Sequence, residues 1–72
     1  MTNTKLLEWY ITESGLKKQK IAEVLGITLN ALKKKIKGER EFKASEIQKV
    51  CDLLHISTLS EKDRVFFATS VE

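Results

Sequence analysis

Residues 21–38 read IAEVLGITLNALKKKIKG, and the interpretation of the whole chain starts from this stretch. Apolar side chains recur at helical spacing on both sides of Gly26, which predicts two short amphipathic helices joined by one sharp turn. Thr28 can accept a free backbone N–H and so begin the second helix. Leu32 and Ile36 lie one turn apart and should face inward, which turns the neighbouring lysines outward. The stretch therefore predicts an exposed, basic helix set at a steep angle to the helix before it.

The rest of the chain predicts three more helices and no strands, because no long apolar–polar alternation occurs. Each of the three glycines, Gly15, Gly26 and Gly38, falls at a predicted helix end, where a left-handed residue is tolerated. Three of the predicted helices run at about Thr4–Glu13, Lys17–Leu25 and Ala44–His55. The third helix starts with Thr28 as its cap, and the fifth begins after Ser60 and ends near residues 67–68. The expected fold class is thus an all-α, compact bundle of five short helices.

The same spacing predicts which side chains form the core. The last helix should begin with a capping box at Ser60 and Asp63, in which aspartate replaces the usual glutamate. Phe66 is expected in the core, and Phe67 is left open between a half-exposed position and a dimer surface. The other predicted core residues are Leu6, Leu7, Tyr10, Ile11, Ile21, Ala22, Val24, Leu25, Ile27, Leu32, Ile36, Ile47, Val50, Cys51 and Leu54.

Size and charge limit the possible functions. Seventy-two residues are expected to form one domain, residues 1–72, with a single small core. The net charge is only +3, but residues 17–43 hold nine basic and three acidic side chains. Charge concentrated in this way indicates a polyanion, or an acidic protein surface, as the ligand. With one cysteine, no long apolar run and no secretion signal, we expect no metal site, no membrane segment and a cytoplasmic location.

The pattern Ala22-x3-Gly26-Ile27-Thr28-x3-Leu32-x5-Gly38 resembles the helix-turn-helix of the Cro and phage-repressor family. The resemblance covers about residues 5–56, and the motif would occupy about residues 17–37. It implies a lambda-repressor-like DNA-binding fold and a transcriptional regulator that works in a phage-infected bacterial cell. In this family the third helix enters the major groove.

The resemblance implies that base-reading side chains lie at the start and on the outer face of the third helix. Asn30 would then bridge an adenine edge, and Lys34 would donate to guanine. The alternative is that these residues form an ordinary solvated helix face. The predicted contacts to DNA or to a protein partner are Thr28, Leu29, Asn30, Lys33, Lys34 and Lys37.

Contacts to phosphate are implied at the start of the second helix and in the loop after the third. Such contacts would release counterions and add affinity without sequence information; alternatively, these side chains meet an acidic protein patch or only aid solubility. Besides Lys37, the predicted residues are Lys17, Lys18, Arg40 and Lys43.

Two departures from the family pattern favour a protein partner. Relatives often carry Ser or Thr followed by Gln where this chain has Lys17 and Lys18, and lysine cannot cap a helix start. Leu29 stands where relatives often have a polar base-reading residue. It could touch a thymine methyl, anchor a protein, or pack near the turn.

The resemblance therefore implies a small phage-type regulator of a lysis–lysogeny switch, binding operator DNA, the cognate phage repressor protein, or both, and a homodimer is one of the expected forms. A stand-alone Cro-like operator-binding dimer is the alternative within that class. An enzyme is not predicted, because no catalytic arrangement is recognisable, and neither a cofactor nor a small-molecule substrate is expected. A single-stranded nucleic-acid module would need stacking aromatics, and Phe42 is the only aromatic beside the basic residues.

Overall fold

A computed structural model describes residues 1–67 and contains five α-helices and no strand in that range. The predicted all-α fold with five helices is therefore confirmed for this part of the chain, and position 68 of the predicted last helix lies outside it. The five helices are α1 (Thr4–Ser14), α2 (Lys18–Leu25), α3 (Leu29–Ile36), α4 (Ala44–Leu54) and α5 (Leu59–Phe66).

The connection between α2 and α3 is only three residues long and is closed by local hydrogen bonds. Gly26 adopts the left-handed conformation with φ +73°, which a side chain at this position would strain. Ile27 N–H donates to the Ala22 carbonyl oxygen at 3.1 Å. The Thr28 hydroxyl oxygen accepts from Ala31 N–H at 3.0 Å, so Thr28 caps α3 as predicted. This turn fixes where α3 begins.

Two long-range hydrogen bonds attach the start of the chain to the rest of the fold. The Thr4 hydroxyl donates to the carbonyl oxygen of Ile36 at 2.7 Å, which links the start of α1 to the end of α3. Asn3 N–H donates to the Val65 carbonyl oxygen at 2.7 Å, which links it to α5. The last turn of α3 is therefore held by α1 as well as by the core.

One apolar core draws side chains from all five helices. Phe42 and Phe66 meet in its interior with an edge-to-face geometry, their ring centroids 5.3 Å apart. Phe66 is buried as predicted, and Phe67 is 53% exposed. Partial burial is found for the predicted core residues Leu6, Tyr10 and Ile27. The buried apolar residues are Leu7, Ile11, Ile21, Ala22, Leu25, Leu32, Ile36, Phe42, Ile47, Val50, Cys51, Leu54, Ile56, Val65 and Phe66.

The core prediction for Val24 is wrong, since this side chain is 38% exposed. In α2 the buried residues are Ile21, Ala22 and Leu25, which lie three and four residues apart and complete one inward stripe. Val24 lies at the edge of that stripe, so its side chain stays largely in contact with solvent although it is apolar.

The start of α5 also differs from the prediction. The helix begins at Leu59 rather than after Ser60, and its cap is Thr58. The Thr58 hydroxyl oxygen accepts from Glu61 N–H at 3.1 Å, while a Glu61 carboxylate oxygen accepts from Thr58 N–H at 3.4 Å. Both pairs have the required spacing, but the longer glutamate can reach back to the cap residue, whereas Asp63 is one methylene shorter.

We expect Thr58→Ala to lower the free energy of unfolding by about 1 kcal/mol, because it leaves an N–H at the start of α5 without its side-chain acceptor. Ser60→Ala is the matched control, since Ser60 lies inside α5, and it should change stability by less than about 0.5 kcal/mol. Urea denaturation of the two variants measures both values. Equal effects, or a larger effect of Ser60→Ala, would place the helix start back at Ser60.

Candidate interaction surface on α3

The outer side of α3 forms the surface that the sequence analysis singled out, and we call it the basic face. It comprises the six residues Thr28, Leu29, Asn30, Lys33, Lys34 and Lys37. Leu29 and Lys34 are half-buried, and the other four are exposed. The face therefore combines one half-buried apolar side chain at the start of the helix with polar and cationic side chains along its length.

This face points outward because the opposite side of α3 is anchored in the core. Leu32 is 1% exposed and Ile36 is 2% exposed, and both lie on the inward stripe of the helix. Lys35 continues that stripe, three residues after Leu32, and is itself only 7% exposed. The three consecutive lysines of α3 thus divide between two environments.

Lys35 is neutralised inside the fold by Glu46 of α4. The Lys35 ammonium lies 2.5 Å from a Glu46 carboxylate oxygen, and Glu46 is only 5% exposed. The same oxygen accepts from Lys43 N–H at 2.8 Å, at the start of α4. Burial by itself raises the pKa of the Glu46 carboxyl. The hydrogen bonds from Lys35 and from Lys43 N–H, together with the two ammonium charges, outweigh it and hold that pKa below its ordinary value.

A groove of about 270 Å³ lies beside the basic face, and we call it the basic groove. It is lined by Lys18 from the start of α2, by Lys33, Ile36 and Lys37 from α3 and its end, and by Glu8 from α1. The Glu8 carboxylate lies 3.0 Å from the Lys18 ammonium, and both side chains are partly exposed. The fold therefore brings three predicted contact residues together and adds an acidic one.

The three predicted phosphate contacts outside α3 and its end, apart from Lys18, do not line the groove. Lys17, Arg40 and Lys43 are exposed. Lys17 precedes α2 and makes no side-chain hydrogen bond to the helix start, as expected for lysine at this position. The positive end of the α2 dipole thus lies next to further positive charge. A bound anionic group would reduce this electrostatic repulsion.

Sequence reasoning missed Glu8, and it did not foresee the pairing of Lys35 with Glu46. For Lys35 a signal existed, because a residue three positions after Leu32 shares its helix face. For Glu8 there was none, since its partner Lys18 lies ten residues away on another helix. Contacts of that kind depend on how helices pack and leave no periodic trace in the sequence.

Several other features bear on what the surface can do. Phe42 is buried, so it offers no ring on which an exposed base could stack. Cys51 is buried, and burial raises the pKa of its thiol, which disfavours the thiolate that a reactive cysteine needs. Within residues 1–67, no group of three His, Cys, Asp or Glu side chains is arranged to hold a metal ion. None of the described helices is both long and apolar enough to cross a membrane.

Comparison with known proteins gives no relative, since no protein-family profile, curated protein sequence or solved structure matches the chain significantly.

Proposed function

We propose that this protein is a helix-turn-helix transcriptional regulator of a phage lysis–lysogeny switch. It acts through the basic face, by binding the cognate repressor protein, operator DNA, or both. The whole chain resembles the temperate-phage protein called modulator of repression, a Cro-like antirepressor. In this proposal α2 and α3 are the two helices of the motif, and α3 is the helix that meets the ligand. The proposal includes neither catalysis nor a cofactor.

The observation that supports this proposal most strongly is the composition of the basic face. Exposed Asn30 and Lys33 lie within about one turn of half-buried Leu29, on a helix whose opposite side is fixed in the core, and exposed Lys37 ends that helix. An accessible leucine among polar and charged groups is the arrangement of a protein–protein anchor. Cations around it would meet carboxylates on the repressor and speed the encounter.

Operator binding is the second candidate, and one observation favours it. Thr28 and Asn30 are exposed at the N-terminal end of α3, the part of a recognition helix that contacts base edges, and Lys33 is exposed three residues further along the helix. Asn30 has the amide group that reads adenine, and the lysines can contact phosphate. In this case the protein would bind as a Cro-like dimer on a two-fold operator.

We expect Leu29→Asp to weaken the complex with the repressor's N-terminal domain at least tenfold, because it puts a charge at an apolar anchor. Leu59→Asp is the matched control: Leu59 is 72% exposed at the first position of α5, outside the basic face, and its change should leave affinity within about twofold. Isothermal titration calorimetry with the purified repressor domain measures both.

Three outcomes of this experiment separate the candidates. Loss of the complex with Leu29→Asp alone supports a repressor partner. Operator binding is supported if the wild-type protein does not bind the repressor domain but retards an operator duplex in a gel. Its affinity for that duplex should fall steeply as the salt concentration rises. Failure of the wild-type protein to bind either ligand would overturn the proposed function.

A further inference from the structure

Glu8 changes the chemistry of the basic groove. Among residues 1–67 it is the only acidic side chain that lines the groove, and its carboxylate contacts Lys18, the first residue of α2. We propose that Glu8 selects the class of ligand: it disfavours nucleic-acid phosphate at the start of α2 and favours a protein surface that carries charges of both signs. This inference rests on the proposed function, because it names which ligand the basic face accepts.

The first step of the argument concerns phosphate. A helix start that combines free N–H groups with a lysine is a good position for a phosphate. Here a phosphate within reach of Lys18 would also lie close to the Glu8 carboxylate, which is 3.0 Å from that ammonium. Two negative charges about 4 Å apart repel each other even in water, enough to weaken binding about fivefold. In the described part of the chain, the positive charge of Lys18 is already compensated by the Glu8 carboxylate.

The second step concerns a protein ligand. Lys33 and Lys37 line the same groove and make no ion pair within residues 1–67, so they are available for a partner's carboxylates. Lys18 contacts only Oε2 of the Glu8 carboxylate, so a partner's arginine or lysine would meet Glu8 at its other oxygen. A protein surface can present positive and negative charges side by side within one groove, whereas a DNA backbone presents only negatively charged phosphates. Complementary placement of both signs gives specificity for the protein and works against the nucleic acid.

The test uses Glu8→Gln and the matched control Glu13→Gln. Both residues lie on α1 and both changes raise the net charge by the same amount, but Glu13 is exposed and does not line the groove. We expect Glu8→Gln to bind heparin and a short DNA duplex about fivefold more tightly than Glu13→Gln. The slope of log affinity against log salt on DNA should steepen by about one, because Lys18 gains a phosphate contact.

Lys18→Gln supplies the second control. When Glu8→Gln is combined with Lys18→Gln, the gain on heparin should disappear, since no ammonium remains to be released. Equal behaviour of Glu8→Gln and Glu13→Gln on heparin, or a gain that persists without Lys18, would overturn the inference. The heparin measurement does not require that the protein bind the repressor or the operator. It therefore distinguishes failure of this inference from failure of the proposed function.

For the protein ligand, the inference predicts that Glu8→Gln changes affinity in the opposite direction. Glu8→Gln should weaken the complex with the repressor's N-terminal domain several-fold relative to Glu13→Gln, because the partner's cation loses the carboxylate with which it pairs. An unchanged or stronger complex would contradict the role of Glu8 as the acceptor of a cation. Stronger binding to both DNA and the repressor domain would show that Glu8 only lowers the positive charge of the surface.

Discussion

Replacing Glu46 by glutamine is expected to lower the free energy of unfolding by about 3 kcal/mol at neutral pH. The amide can still accept from Lys43 N–H, but Lys35, a residue only 7% exposed, loses the only charge that neutralises its ammonium within residues 1–67. Glu41→Gln is the matched control, because Glu41 is exposed nearby and the net charge changes equally. The control should stay within about 0.5 kcal/mol of the wild type in urea denaturation.

The pH dependence of this effect has a definite sign. The pKa of Glu46 is lower in the folded protein than its ordinary value of 4.5. The carboxylate therefore stabilises the fold fully above about pH 4.5, and this contribution is lost as the pH falls through the lowered folded value. The difference in stability between wild type and Glu46→Gln should shrink over that acid range. A difference that is constant with pH would contradict the assignment.

A double variant shows how the loss arises. Lys35→Met combined with Glu46→Gln removes both charges and keeps the acceptor for Lys43 N–H. It should recover most of the stability lost by Glu46→Gln, because breaking a buried pair costs more than replacing it with neutral groups. If the double variant is as unstable as Glu46→Gln, the loss comes from packing or from the start of α4, and not from an uncompensated lysine.

The buried pair also marks the limit of what the sequence could predict. The helices and most of the core follow from local spacing, because residues such as Leu32 and Ile36 repeat with the period of the helix itself. The run Lys33-Lys34-Lys35 looks uniform in sequence, yet its third member turns inward, since Glu46 from another helix makes burial of that lysine possible. Its neutralisation depends on tertiary packing that no local pattern records.

Helix ends and helix edges also separate what local sequence predicts from what tertiary packing decides. Thr58 and Ser60 both offer a hydroxyl with a carboxylate three residues later, so local chemistry alone left the start of α5 ambiguous. Val24 is apolar and lies one residue before buried Leu25, but the neighbouring helices do not cover it. For the candidate site, the residues of α3 were predictable from helical spacing, whereas Glu8 joins the groove only because the tertiary fold brings it to Lys18, ten residues away in the sequence.

The second large effect is expected for Leu32→Ala, which should lower the free energy of unfolding by about 3 kcal/mol. Leu32 is only 1% exposed, so truncation removes buried contacts and leaves a cavity beneath α3. For a domain of this size the midpoint of thermal unfolding should fall by about 15 °C. Urea denaturation should show a lower midpoint with an unchanged slope, as expected when the surface exposed on unfolding stays the same.

Val24→Ala is the matched control for this prediction, because both changes remove an aliphatic side chain from a short helix. Val24 is 38% exposed, and alanine favours helix more than valine, so the net change should be within about 0.5 kcal/mol. The contrast tests the orientation on which the basic face depends. If Val24→Ala costs as much as Leu32→Ala, the inward side of these helices is assigned wrongly. The core anchoring of α3 would then no longer explain why Asn30 and Lys33 are exposed to a ligand.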